Sequence, residues 1–139
     1  MVKLPLKRKR KHPIPDISAK ISNVYEKLQM NSSIVILPRT KGRRNLNKGG
    51  SCNRSSYVGV TKNVDHWQAL INMGKSKKYI GSFLTEKEAA LTYDFYALGV
   101  HGLKAKTNFK HSGVEILAMI ESFYTNRNKF VPSLFTTLL

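Results

Sequence analysis

Acidic side chains are scarce in this 139-residue sequence: eight Asp and Glu stand against 24 Lys and Arg, leaving a net charge of +16 and a pI near 10.2. A chain this basic repels itself unless it meets a polyanion, and nucleic acid or an anionic membrane surface are the usual candidates. Cysteine is nearly absent as well. The single Cys52 excludes an intrachain disulfide and a multi-cysteine zinc site, and reads as a bystander in a loop. His66, His101 and His111 show no metal-ligand spacing, so no metal and no cofactor are expected. No apolar run approaches the roughly 20 residues that a bilayer span needs. The first residues lead into a basic cluster where a secretory signal would carry an apolar one. The expectation is a soluble, intracellular protein with no membrane partner. A nucleophile elbow, a phosphate-binding glycine loop and a paired-carboxylate cluster are all missing, which leaves no catalytic residues to name and points away from an enzyme.

What the chain does have is unevenly placed. Its 41% hydrophobic residues suffice for one modest core, hence one domain with extensions. Residues 1–56 hold 14 Lys and Arg against Asp16 and Glu26, so three quarters of the excess charge precedes the middle of the chain. Lys7, Arg8, Lys9, Arg10 and Lys11 run consecutively between Pro5 and Pro13. They read as a nuclear-import signal that also touches phosphates, or as a solvated tail. From Asp16 a helical period places Ile17, Ile21, Val24 and Leu28 on one face. Ile34 to Leu37 is an apolar run that fits a short buried strand or a docking segment, ended by Pro38. Residues 39–56 are rich in Gly, Ser, Asn and basic residues, a cationic arm whose charged points are Arg43, Arg44, Lys48 and Arg54. Tethered beside a nucleic-acid surface, such an arm gains phosphate contacts at high effective concentration.

The stretch from Tyr57 to Phe109 organises the rest. Tyr57 to Asn63 alternates polar and apolar around Gly59, as in a strand whose backbone is closely approached. After the turn at NVDH, the run to Asn72 sets Trp67, Ala69 and Ile71 on one face and Gln68, Leu70 and Asn72 on the other. A turn at Gly74 leads to Lys77–Phe83, where alternation groups Lys78, Ile80 and Ser82 against Lys77, Tyr79 and Gly81, with Phe83 leaving the strand. Two successive hairpins make a three-stranded antiparallel meander. A helix follows, with Thr85 as N-cap, Glu88 completing a capping box and Gly99 as C-cap. The expected fold class is α+β: a three-stranded antiparallel sheet packed on one α-helix, with flanking N- and C-terminal helices. A sheet so small can bury only one face, which leaves the other for a ligand.

These residues carry a resemblance. YVGV, HWQALI, YIGSFLTEKEAALTYD and TNF, in that order and spacing, resemble the DNA-binding domain of the APETALA-two and ethylene-response-factor family across essentially all of Tyr57 to Phe109. The resemblance implies a helix behind the sheet and an open sheet face in the DNA major groove. It also implies a structural role for Asp94. Carried over residue by residue, the sheet-face contacts become Val58, Thr61, Asn63, Gln68, Leu70, Asn72 and Tyr79; Lys62, Lys75 and Lys77, in or beside the hairpins of so basic a chain, join them as solvated or phosphate-contacting residues. The sequence reads as a divergent member: Val58, Thr61 and Asn63 stand where plant members present first-strand arginines. Leu70 and Asn72 stand opposite a Glu and an Arg, and Tyr79 stands for a Trp. Because Gln and Asn favour adenine while Arg favours guanine, any sequence preference is expected to differ from that of guanine-reading members.

Beyond Phe109, Ser112 and Glu115 form a capping box for a helix to Tyr124, with Val114, Leu117, Ile120 and Tyr124 on a stripe joined by Ile116 and Phe123. Phe130, Val131, Leu134, Phe135, Leu138 and Leu139 make the tail apolar. The segments 16–38 and 112–139 are therefore expected to form a second small core or to meet a protein partner. The chain divides into a basic tail (1–15), a helix plus apolar segment (16–38), a basic arm (39–56), the sheet-and-helix domain (57–109) and a C-terminal helix with tail (110–139). Two functions follow. One is a nuclear DNA-binding transcription regulator on double-stranded DNA. The other is a non-enzymatic subunit of a ribonucleoprotein or chromatin assembly, with RNA as an alternative ligand and an organelle as an alternative location.

Overall fold

The computed structural model describes residues 14–38 and 55–138. The basic cluster Lys7 to Lys11, Cys52 and the arm residues Arg43, Arg44, Lys48 and Arg54 lie outside the described residues. In chain order the elements are helix α1 (Ser18–Met30), strand β1 (Val35–Ile36), strands β2 (Val60–Asn63), β3 (His66–Met73) and β4 (Ser76–Phe83), helix α2 (Glu86–His101), strand β5 (His111–Ser112) and helix α3 (Gly113–Thr125). Short 3₁₀ turns at Gly102–Lys104, Pro132–Leu134 and Thr136–Leu138 close the connections. The three-stranded sheet has the order β2-β3-β4, antiparallel throughout, and β1 pairs with β5 in a separate two-stranded ladder.

The α+β arrangement expected from the sequence is the one observed. Both hairpins turn on two residues, and each takes positive φ at the first: Gly74 at 68° and Val64 at 62°. Positive φ there suits the right-handed strand twist and costs glycine nothing. For β-branched Val64 it is a strained conformation. The helix starts are read correctly from their caps. Thr85 accepts a hydrogen bond from the Glu88 amide at 3.2 Å, but the Glu88 side chain does not return the bond that the expected capping box needs, whereas Ser112 and Glu115 close both halves. Helix α1 begins at Ser18 rather than at Asp16, whose carboxylate instead accepts from the Ser18 amide.

The end of α2 differs from expectation. The helix runs through Gly99 to His101 and stops at Gly102, which adopts φ 69°. Gly99 lies buried inside the helix, and a Cβ there would meet the Ile17 side chain at 2.7 Å. Its missing side chain admits α1, so the residue serves helix packing and not termination.

Helix α2 is buried at every position from Ala89 to Gly99 except Tyr93. That can happen only when it is covered on more than one side. The sheet covers one side. Helix α1 and the tail cover another, with α3 packed on α1. The flanks therefore do not form a second core. Ile17, Ile21, Val24 and Leu28 of α1 and Ile116, Met119, Ile120 and Phe123 of α3 join Phe95 and Leu98 of α2 in one cluster. The inward stripe of α3 sits slightly around from the expected one, which leaves Val114 65% exposed. Past α3, Arg127 and Asn128 both adopt positive φ and reverse the chain, and the Asn128 amide bonds the Phe123 carbonyl at 2.8 Å. The reversal returns Phe130 to stack on Phe95 at 4.3 Å between ring centroids, with Phe135 stacked on Phe130 in turn.

Phe130 thus closes the core on the side of α2 away from the sheet. Phe130→Ala is expected to lower unfolding free energy by about 3 kcal/mol, and Val114→Ala to change it by less than about 0.5 kcal/mol, as read by urea denaturation.

Candidate nucleic-acid interface

The strands β2, β3 and β4 contain three lysines and no acidic residue. The register decides which side chains share a face. Thr61, Gln68 and Ser82 stand abreast across the three strands; Asn63 pairs with His66, Leu70 with Tyr79 and Asn72 with Lys77. All of these lie on the side of the sheet away from α2. The opposite side carries Val60, Ala69 and Ile71, which are buried against α2, together with half-buried Trp67 and Phe83.

A β-bulge between Ala69 and Leu70 reorganises β4. Ala69 faces Gly81 while Leu70 faces Tyr79, so Ile80 is the additional residue. Ile80 is buried with the helix-side residues. Beyond the bulge, Gly81 shifts to the helix side and Ser82 to the open side, reversing the grouping expected from simple alternation. Gly81 has φ 147°, and a Cβ there would lie 2.6 Å from the Phe83 ring. Phe83 stays in the strand and pairs with Trp67 instead of leaving it.

Of the expected sheet-face residues, Thr61, Asn63, Gln68, Leu70, Asn72, Lys77 and Tyr79 come together on the open face, and Lys75 stands exposed in the tip of the adjoining hairpin. Two do not. Lys62 pairs with Trp67 on the helix side, its Nζ 5.5 Å from the indole centroid, a cation–π contact at the sheet rim. Val58 precedes β2 in a turn, with its backbone held by Asn108. His66 and Ser82 were not anticipated. Alternation along β3 alone places His66 beside Gln68, whereas Ser82 is hidden from any sequence pattern by the bulge.

The position of β2 depends on a buried network. Asp94, with 0% exposure, accepts from the amides of Asn108 at 2.6 Å and Phe109 at 3.0 Å, and pairs with His111 Nε2 at 2.8 Å. Burial pushes its carboxyl up from the ordinary range, and the hydrogen bonds from His111, Asn108 and Phe109 oppose that shift. The Asn108 side chain then accepts from the Val58 amide at 2.8 Å and donates to the Val58 carbonyl at 3.0 Å. Next to it, Gly59 adopts φ 81°, and a Cβ there would fall 2.1 Å from the Tyr93 ring. The close backbone approach expected at Gly59 is thus made by Tyr93. Where the described chain resumes, the Ser55 hydroxyl donates to the Glu86 carboxylate.

Comparison with curated proteins fits this geometry. The chain is 41% identical over 83 residues to the AP2-like ethylene-responsive transcription factor PLT2 of Arabidopsis thaliana, covering 57% of this chain and 15% of that protein. It is 35% identical over 100 residues to AIL5 of the same plant, covering 69% and 18%, and 34% identical over 101 residues to CRL5 of Oryza sativa subsp. japonica, covering 70% and 16%. The chain contains a domain of the AP2/ethylene-responsive type. It spans less than a fifth of the length of these three relatives. No protein-family model matches it.

Elsewhere on the chain, an open depression of about 330 Å³ is lined by Tyr93, His101, Lys104 and Lys106. Among the described residues no three His, Cys, Asp or Glu side chains converge as a metal-ligand set, and no helix is long and apolar enough to cross a membrane.

The Asp94 network predicts a steep local stability map. Asp94→Ala is expected to cost about 3 kcal/mol, because it strands two half-buried amides and a buried histidine, and Asn108→Ala about 2 kcal/mol. Ser82→Ala on the open face should stay within about 0.5 kcal/mol. Urea unfolding of the three variants checks the order.

Proposed function

We propose that the chain is a DNA-binding transcription regulator that lays the open face of β2-β3-β4 in the major groove of double-stranded DNA. The observation that carries this reading is an acid-free sheet face of hydrogen-bonding side chains on a domain shared with proteins named as transcription factors. In this arrangement Lys75 and Lys77, at one end of the sheet, hold phosphates and set the register. Lys62, at the rim, adds a further positive charge. Thr61, Asn63, Gln68, Leu70, Asn72 and Tyr79 face the base edges. The basic arm, through Arg43, Arg44, Lys48 and Arg54, adds phosphate contacts. Lys7 to Lys11 direct the protein to the nucleus. The role is binding rather than catalysis.

One observation favours a second reading: the described strands contain no arginine. A sheet that grips phosphates without reading bases suits a structural subunit of a chromatin or ribonucleoprotein complex, in which a partner protein shares the nucleic acid.

Binding to specific duplex, scrambled duplex and RNA across a salt series separates the two. A regulator keeps a large ratio between specific and scrambled duplex at physiological salt, while a general binder shows a steep salt slope and little ratio. Lys75→Ala with Lys77→Ala should weaken binding to all duplexes alike and reduce the log–log salt slope by about 2. An unchanged slope would remove both lysines from the phosphate contacts. Replacing Lys7 to Lys11 by alanine in a fluorescent fusion should shift the protein out of the nucleus, and retention there would count against the import role.

A further inference from the structure

We infer that the open sheet face discriminates A·T pairs, with Gln68 and Asn72 each reading an adenine and Leu70 between them favouring thymine. This rests on the DNA-binding reading above and adds the class of site it selects.

The argument starts from what the face offers. Arg127, beyond α3, is the one arginine among the described residues, so the sheet lacks the forked donor that best fits guanine O6 and N7. Its cations stand away from the centre of the face. Lys75 is in the hairpin tip, Lys77 pairs with Asn72 near that tip, and Lys62 leans on Trp67 at the other side of the sheet. The middle of the face is neutral. A carboxamide presents one donor and one acceptor in a plane, which matches the N6 amino group and N7 of adenine.

The carboxamides on this face are also unengaged. Among the described residues no hydrogen bond occupies the side chains of Asn63, Gln68 or Asn72, whereas Asn31, Asn108 and Asn126 bond their own backbone or a neighbouring one. Asn31, Asn108 and Asn126 serve the fold; exposed Asn23 and Gln29 of α1 are as unengaged as the sheet carboxamides, and what distinguishes the latter is that they line up on one acid-free face.

Spacing turns this into a pattern. Gln68, Leu70 and Asn72 alternate along β3 on one face. Gln68 and Asn72 are four residues apart, about 13 Å along a strand. Base pairs rise about 3.4 Å each along the axis, but the groove also winds around it and runs about 4.5 Å per pair at the base edges, so a strand lying along the groove brings the two carboxamides to adenines about three base pairs apart. Leu70, between them, offers an apolar surface to a thymine methyl, as does the Thr61 methyl beside Gln68.

The test is selection of bound duplexes from a random pool by the full chain, followed by binding to the selected site. The expected result is adenine at two positions about three base pairs apart, with a G·C replacement at either costing about ten-fold or more in affinity. Gln68→Ala should erase the preference at one position and Asn72→Ala at the other. Thermal unfolding verifies that each variant remains folded. A wild-type arm needs no mutation: 7-deazaadenine at the position lost in Gln68→Ala, which removes the N7 acceptor, should weaken wild-type binding about ten-fold and leave Gln68→Ala binding unchanged. A selected motif rich in G·C, binding without enrichment, or preference surviving both substitutions would overturn the inference while leaving DNA binding intact. Absence of binding to any duplex at low salt would overturn the DNA-binding reading and this inference with it.

Discussion

A carboxylate with no access to water sits in the middle of the central helix, and the surrounding chain is arranged to satisfy it. Asp94 cannot remain buried without donors. It obtains them from the amides of Asn108 and Phe109 and from His111, all in the segment that follows the helix. The segment is thereby held against α2. Asn108 extends the network to the backbone of Val58, which fixes where the edge strand β2 begins. His111 extends it the other way, since that residue also pairs with Ile36 in the β1–β5 ladder. One buried carboxyl group thus connects the start of the sheet, the helix behind it and both flanking segments.

The second constraint is that α2 has no solvent-facing stripe over most of its length. Small residues at Ala89, Ala90 and Ala97 allow the sheet to approach, and Gly99 allows Ile17 of α1 to do so. With the sheet on one side and α1 and the Phe130 return on another, the apolar faces of the flanks are used within the chain. The open sheet face is left as a broad surface free of carboxylates. Its chemistry follows from the same division: the buried residues of each strand, Val60, Ala69, Ile71 and Ile80, turn toward α2, and most of the polar ones occupy the other side, with Lys62 and Lys78 as exceptions.

Much of this was legible in the residues. Thr85 and Ser112 announced their helices because capping is a local interaction over three residues. The hairpins were marked by their turns, and period-two alternation along β3 sorted Ala69 and Ile71 from Gln68, Leu70 and Asn72. What was misread depended on how neighbouring strands pair. The bulge at Ile80 arises in the pairing of β3 with β4, so alternation along β4 alone assigned Ser82 and Gly81 to the wrong sides. Lys62 was assigned to the open face by proximity, although its pairing with Trp67 turns it to the rim.

The sequence by itself determined the elements, the acid-poor character of the strands and the type of domain, because these reside in local propensity, composition and an ordered set of short motifs. Tertiary structure alone decided that the flanks share the core of the sheet-bearing unit, that Gly99 packs a helix rather than ending one, and that Ser82 joins Thr61 and Gln68 on the open face. Each of these depends on contacts between segments far apart in the chain, and no window of adjacent residues contains both partners.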